Sequence, residues 1–424
     1  MSLKDKVEIR MRKVIIGLLM IGLLTSCLAP RQQDEILLSD EEEQQEISIV
    51  PSHRLSDENY KIILPYRPSQ ARGVIVGQVA NRFDIDELED GLRRHSKEYF
   101  DPKDYYFEEG QYLSRDTVYK WLGRKLTESQ YENEREAAIA QRKRDGLAVH
   151  DEYLERLERD LQAGLNPAMK DIDGLKTSEK KKLHEENPRY ISHVLEQNFL
   201  KRKDDNTVEL VGMSIGLSMK SVYQYQTEIG GPYYYRDISE EEMLSEGKKM
   251  AEKVVKRLRN MEELKNIPIM IALFRETEPS SPVPGNFVAK TFVDKSSSEI
   301  DKWETINEEY VLLPSSASKE KYFDEHELIT SFGHKISDYF PNYTGVIGEG
   351  FYISGELQKM KVKIPLEFYG SGEILGFTQY IYGIAQEIFP TKYDLEIRVE
   401  SSEQIESLMF REANEDDFTV HIVQ

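Results

Sequence analysis

Two stretches of alternating apolar and polar residues limit what this chain can become. "TVELVGMSIGLSMKSVYQYQTEIGGPYYY", Thr207 to Tyr235, and "GEGFYISGELQKMKVKIPLEFYGSGE", Gly348 to Glu373, carry the period-two pattern of strands, each broken by glycine turns. The first is followed by the helical pattern "SEEEMLSEGKKMAEKVVKRLRNM" and the apolar run "IPIMIALFRE", the second by "ILGFTQYIYGIAQEIF" and "YDLEIRVE". Each block reads as paired strands, a covering helix and a return strand. The identity between blocks is slight, so an internal duplication and a coincidence of two ordinary β-β-α-β units both stand. The expected fold class is α+β, with a helical N-terminal half and a C-terminal antiparallel or mixed sheet bearing helices on one face.

The first half is charged and rich in helical spacing. "DIDELEDGLRRHSKEYF", Asp84 to Phe100, has acids in its first turn, and "SRDTVYKWLGRKL" is opened by Ser114 as N-cap. Glu128 to Asp160 reads as a long solvated helix, or a helical pair interrupted near Gly146. "NPRYISHVLEQNFLKRK" is expected to be another helix, and "GVIVGQV", Gly73 to Val79, a strand. The domain organisation expected is a signal segment over 1–26, a flexible tether over 27–58, a mainly helical region over 59–203 and an α+β region over 204–424.

Cys27 is the only cysteine. Before it stand Arg12 and Lys13 and an apolar run from Val14 to Leu24. That run is shorter than the about 20 residues a membrane-spanning helix needs. A basic head, a short apolar segment and small residues at its end are the parts of a secretory signal peptide, and Met11 begins a good one by itself. Leu24, Thr25, Ser26 and Cys27 have the form of a lipobox, in which small residues admit a peptidase and the thiol takes up a diacylglyceryl group. The alternative is a plain buried cysteine. Cleavage before Cys27 leaves no thiol for a disulfide, so the exported part must rest on its own core, which its length permits.

Formal net charge is −21, and the segment before Cys27 holds five cations against two anions, so its loss makes the chain still more acidic. Such a surface repels nucleic acid and anionic headgroups. Membrane attachment is therefore expected through acyl chains at Cys27, which places the protein at the outer face of the cell membrane.

The familiar catalytic constellations are missing from the sequence. "HELIT", His326 to Thr330, lacks the second imidazole of a zinc-protease helix. "GSGEILG", Gly370 to Gly376, has the wrong spacing for a dinucleotide loop, and "DIDELED", Asp84 to Asp90, lacks the ligand and glycine positions of a calcium loop. No catalytic residue, metal ligand or cofactor is assigned. Ser239 with Glu242 forms a capping-box pattern. The remaining excess is tyrosine, 24 in all, with Tyr233, Tyr234 and Tyr235 beside a turn as candidate contacts for an extracellular peptide or glycan. The competing reading is that they pack under the sheet. The class this favours is a non-enzymatic binding module; the alternative is an exported enzyme acting on cell-envelope polymers through unidentified carboxylates.

The run "LPYRPSQARGVIVGQVANRFDIDELEDGLRRHSKEYFDPKDYYFEEGQYLSRDTVYKWLGR" resembles the CamS family of bacterial lipoproteins, described as sex pheromone precursors of Gram-positive bacteria, as do "AGLNPA", "YISHVLEQNFL", "PVPGNFVAKTFV" and "YTGVIGEGFY". The resemblance implies that the residues just before the lipobox cysteine are released as a short apolar conjugation pheromone. By position these are Met20, Ile21, Gly22, Leu23, Leu24, Thr25 and Ser26, "MIGLLTS". Against the family's Ala-Ile-Phe-Ile-Leu-Ala-Ser pattern, Ile21, Leu24 and Ser26 match. It implies no catalytic residues for the rest of the chain.

Overall fold

A computed structural model describes residues 35–39, 47–50, 56–203, 207–340, 345–367 and 370–423. Met20 to Cys27, with the lipobox and the candidate pheromone peptide, lie outside the described residues, as does most of the segment read as a tether. The chain divides into a small unit of residues 1–66, 102–107 and 201–209, and a large one of 67–101, 108–200 and 210–424.

In the small unit β1 (Glu35–Ser39) pairs antiparallel with β2 (Ile47–Val50), so a hairpin stands within the expected tether. Strand β3 (Lys61–Ile62) runs parallel to the start of β4 (Tyr106–Glu109), where the rings of Tyr60 and Phe107 lie 6.1 Å apart.

The large unit begins with helices α1 (Arg82–Ser96), α2 (Arg115–Leu122), α3 (Glu128–Arg144), α4 (Asp151–Leu161) and α5 (Thr177–Glu186). Ser114 caps α2 by accepting from Thr117 N at 3.2 Å, as its position suggests. Helices α3 and α4 are the expected pair, separated at Gly146, whose φ of +73° lies in the region that favours glycine.

Two expectations fail in this half. Residues Ile191–Arg202 form strand β5 rather than a helix. The strand is buried along almost its whole length because its sheet is covered on both faces, so the alternation that marks a half-buried strand is absent. "GVIVGQV" is a turn with one 3-10 segment, Ile75–Gly77, in which Val74 and Ile75 are buried instead of joining a ladder.

Beyond these come β6 (Thr207–Met219), the hairpin β7 (Val222–Gln226) with β8 (Tyr233–Asp237), helix α6 (Glu240–Arg259), β9 (Ile269–Arg275), β10 (Asn286–Val293) and β11 (Glu304–Thr305). Strands β5, β6, β9, β10 and β11 lie side by side in that order. The central pair, β6 and β9, is parallel with Ile215 beside Ile271, while β9 and β10 are antiparallel. One face of this sheet presents Met213, Ile215 and Leu217 to Met250, Val254 and Leu258 of α6. Alternate residues of β6 point the other way. There Ser96 of α1 donates to Ser214 at 2.8 Å, and Leu88 and Leu92 lie over Gly216. Helices thus cover both faces of this first sheet, where helices on one face were expected.

The second sheet comprises β12 (Glu308–Leu313), β13 (Ile347–Ile353), β14 (Glu356–Pro365), β15 (Asp394–Glu400), β16 (Ile405–Arg411) and β17 (Thr419–Ile422), in sequential order. With it go α7 (Ser316–Lys321), α8 (Phe323–Ser337) and α9 (Ser371–Ile388). Met360, Val362 and Ile364 of β14 and Leu395, Ile397 and Val399 of β15 form a core with Ile329 and Phe332 of α8 and Phe377 and Ile381 of α9. Here the helices do lie on one face.

The sheets are mixed, and they share a topology. In each, a strand pair leads through a helix to a strand parallel to the one before the helix, β6 to β9 or β14 to β15, and an antiparallel neighbour completes the set. The two blocks seen in the sequence correspond to these two sets, the first interrupted by the β7–β8 hairpin.

Candidate functional site

The first turn of α1 organises one side of a cleft. Asn81 caps the helix by accepting from Phe83 N at 2.9 Å, and its Nδ2 donates to the carbonyls of Ser281 at 2.9 Å and Glu278 at 3.3 Å. Asp84 accepts from Gly285 N at 2.7 Å and Thr277 N at 3.1 Å. Both ends of the loop 277–285, "TEPSSPVPG", are thereby tied to one helical turn. Burial, the largest influence, together with nearby Glu276 raises the Asp84 carboxyl to about 7 against the pull of those two N–H donors. A side chain at Gly285 would place its Cβ 2.0 Å from the Arg275 carbonyl oxygen, so the loop can turn here only with glycine.

The loop presents Pro282 and Pro284 to a cleft of about 450 Å3, which α1 lines with Phe83, Asp86, Glu87 and Asp90. Across it stands the helix-free face of the second sheet, with Glu349, Lys361, Lys363, Arg398 and Glu400. Lys361 lies opposite Glu349 in the β13–β14 register and reaches it at 3.4 Å, and Lys363 pairs with Glu400.

Beneath the cleft α1 and β12 meet at Arg94. Its Nη2 donates to Glu87 at 2.8 Å and to Glu308 at 3.0 Å, and the guanidinium lies 4.7 Å above the Phe351 ring. Tyr310 donates to the other Glu87 oxygen at 2.6 Å, and His95 Nε2 stands 3.2 Å from Glu308. The two carboxylates diverge. Burial raises Glu87 despite Arg94 and Tyr310, whereas at Glu308 burial is outweighed by His95 and Arg94 and the carboxyl is lowered. Burial beside Glu87 also pushes the Tyr310 phenol far up, so it remains a donor.

Ion pairs engage the carboxylates of the cleft. Carboxylates line both walls, yet Glu87, Glu349 and Glu400 are held by Arg94, Lys361 and Lys363, and Asp86 and Asp90 by Arg82 and Arg93 of their own helix. What the cleft offers is an apolar strip, Phe83, Pro282, Pro284, Leu312 and Ile347, flanked by a ladder of both charges.

The tyrosines expected to bind lie on a second feature. Tyr233 and Tyr235 project from β8 with 58 % and 61 % of their surface exposed, and Ile229 at the hairpin turn is fully exposed. Tyr234 points inward, 5.7 Å from the ring of Tyr225, with Lys181 3.7 Å from its centroid. Tyr225 stacks on His184 at 4.5 Å, and His184 Nδ1 meets the Tyr223 hydroxyl at 2.8 Å. The hairpin therefore splits the three candidates, two outward and one packed.

Ser239 caps α6 by accepting from Glu242 N at 3.2 Å, while the Glu242 carboxylate goes to Arg236 and to Tyr190, at 2.6 Å each. The "HELIT" residues lie in α8, where Thr330 bonds the carbonyl of His326 and His326 meets Ser318. Sequence reasoning missed Arg94 and Glu308, which are 214 positions apart and carry no local pattern.

A solved structure described as a sex pheromone precursor from Lactobacillus salivarius subsp. salivarius is 28% identical with a TM-score of 0.74, covering 89% of this chain and 99% of its own. The C-terminal domain of a sex pheromone staph-cAM373 precursor from Staphylococcus aureus is also 28% identical, with a TM-score of 0.65, covering 81% of this chain and 98% of its own. No curated protein matches. The family described as CamS sex pheromone cAM373 precursor matches residues 66–417, and the chain belongs to that CamS family.

Proposed function

We propose that this CamS-family chain is a lipid-anchored protein on the outer face of the cell membrane, cleaved before Cys27, whose segment Met20 to Ser26 is released as a short apolar signal peptide. The observation that carries this reading is the order of parts: a basic head, an apolar run too short to span a bilayer, then Leu24-Thr25-Ser26-Cys27, in a chain of a pheromone-precursor family. Cys27→Ala should leave uncut precursor and abolish lipid labelling; an unchanged surface-bound fraction in that variant would refute it. Synthetic "MIGLLTS" should induce clumping or transfer in responder cells, and an inert peptide would confine the signal to other family members.

The domain beyond Cys27 binds an extracellular peptide or glycan without chemically altering it. The ion-paired state of the cleft carboxylates supports this, as do the outward Tyr233 and Tyr235. One observation favours an enzyme acting on envelope polymers: Glu87, raised by burial, stands in the cleft. Incubation of the full-length chain with isolated cell walls separates the readings. Co-sedimentation without release of soluble fragments is expected; release that Glu87→Gln abolishes would establish the enzyme instead.

A further inference from the structure

Three cations of this acidic chain converge on one cleft remote in function from anything above. Lys253 and Arg257 are one turn apart on α6 and share a face. Lys125 comes from the segment after α2, held in place by its backbone N–H on the Asn166 carbonyl at 2.8 Å. With Leu126, Glu128, Tyr131, Leu161, Gln162 and Gly164 they line about 530 Å3. Arg257 lies 5.3 Å over the Trp121 ring and gives Nη2 to the Gln162 carbonyl at 3.0 Å. Its Nη1 is buried and has no hydrogen-bond partner among the described residues.

No ion pair to Lys125, Lys253 or Arg257 is found among the described residues. Nearby acids are otherwise engaged: Asp160 holds Lys120 at 2.9 Å, Glu246 holds Lys249 at 2.6 Å and Glu158 lies 3.9 Å from Arg135. Only Glu128 lines the cleft as an acid. Like charges crowded this way cost free energy in the unliganded chain, and a buried guanidinium N–H without a partner costs more. Burial, the adjacent Lys125 and the charge of Arg257 lower Lys253 to about 8, with Glu246 pulling the other way. The cleft shares Gln162 and Arg257 with a neighbouring one of about 540 Å3, lined also by Arg159, Asn260 and the Lys120–Asp160 pair, so the two form one trough.

We infer that the trough binds a phosphate-bearing ligand, its phosphate seated between Lys125, Lys253 and the Arg257 guanidinium. A tetrahedral phosphate offers acceptor oxygens to donors arriving from several directions, and an arginine fork beside two ammonium groups suits it. The inference stands apart from the lipid anchor and from the cleft beside Arg94.

The test is isothermal titration of the full-length chain with inorganic tripolyphosphate at pH 7, with sulfate as the charge control. Saturable binding is expected, weakened at least tenfold by Lys253→Met and by Arg257→Met, and unchanged by Lys392→Met at an exposed lysine that lines neither cleft. Lys253→Met removes a repelled charge, so its melting temperature should be equal or higher, and Lys125→Met supplies a second variant. At pH 8 binding should take up protons, read from heats in buffers of different ionisation enthalpy, and Lys253→Met should remove that uptake. Co-sedimentation with phosphatidylglycerol vesicles that is lost in the same variants identifies a lipid headgroup as the source; binding of tripolyphosphate alone identifies a soluble one. Absence of binding, equal affinity for sulfate, or an affinity that none of the three substitutions moves overturns the inference.

Discussion

Arg94 of α1 reaches Glu308 of β12 at 3.0 Å while holding Glu87 of its own helix at 2.8 Å, so one guanidinium answers two buried carboxylates and joins the helix over the first sheet to the edge of the second. Removing it leaves two buried acids with fewer partners than their burial requires. The cost of breaking such a pair is about 3 kcal/mol or more, discounted here because the Arg94 side chain keeps some exposure. Arg94→Met should therefore lower stability by about 2 to 3 kcal/mol in urea unfolding. Arg94→Lys should recover only part of this, because an ammonium has no planar fork to lay over Phe351 while serving both acids. A loss under about 0.5 kcal/mol in Arg94→Met would show that the two acids do not depend on it.

The pH dependence of stability should contain two opposed contributions. Burial lowers His193 to about 3, so the folded chain refuses a proton that the unfolded chain takes near 6.5. Stability from neutral His193 is therefore full above about 6.5 and is lost as pH falls towards 3. Asp84 has the opposite sign. Raised to about 7, it keeps a proton that the unfolded chain releases near 3.8, so its contribution is full below that value and is lost as pH rises to 7. His193→Gln should make the chain gain stability relative to its parent on acidification between pH 6.5 and 4, and Asp84→Asn should make it lose stability over the same range. Urea unfolding at several pH values gives both slopes, and parallel curves for parent and variants would show that neither group titrates as its burial dictates.

What could be read from the sequence tracks how local each cause is. Ser114, Ser239 and the break at Gly146 were legible because caps and glycine turns are decided within a few residues. The two blocks of strand, helix and strand were legible because helices on one face of the second sheet leave clean alternation along β14. Strand β5 was not, since α1, whose Glu89 carbonyl accepts from Gln197 of β5 across 108 positions, covers the face that would otherwise have been polar. The cleft was illegible for the same reason: Pro282, Glu87 and Lys361 come from three segments that only the fold brings to one place.

The loop 277–285 carries two of the apolar groups in that cleft, and its closure depends on Gly285. In Gly285→Ala the added methyl would meet the Arg275 carbonyl at 2.0 Å, which forces the backbone to move and pulls the Gly285 N–H from Asp84. A stability loss of about 1 to 3 kcal/mol is expected. Because Asp84 then loses a donor that favours its ionised form, its carboxyl should rise further. Side-chain carboxyl NMR of Asp84 would follow both effects, and a variant with unchanged stability and an unchanged Asp84 signal would exclude this role for the glycine.

Tyr233 and Tyr235 face outward while Tyr225 and Tyr234 face the core of the hairpin, and the difference separates contact residues from packing residues on one short element. Tyr225 stacks on His184 at 4.5 Å and on Tyr223 at 5.4 Å, so Tyr225→Ala should cost about 3 kcal/mol or more of stability. The double substitution of Tyr233 and Tyr235 by serine removes little buried surface and should leave stability within about 0.5 kcal/mol of the parent. If the hairpin contacts an extracellular ligand, the same double variant should lose co-sedimentation with isolated cell walls while melting at the parent temperature. The two measurements must diverge for the reading to hold: retention of wall binding assigns the outward tyrosines no part in it, and a large fall in melting temperature returns them to packing.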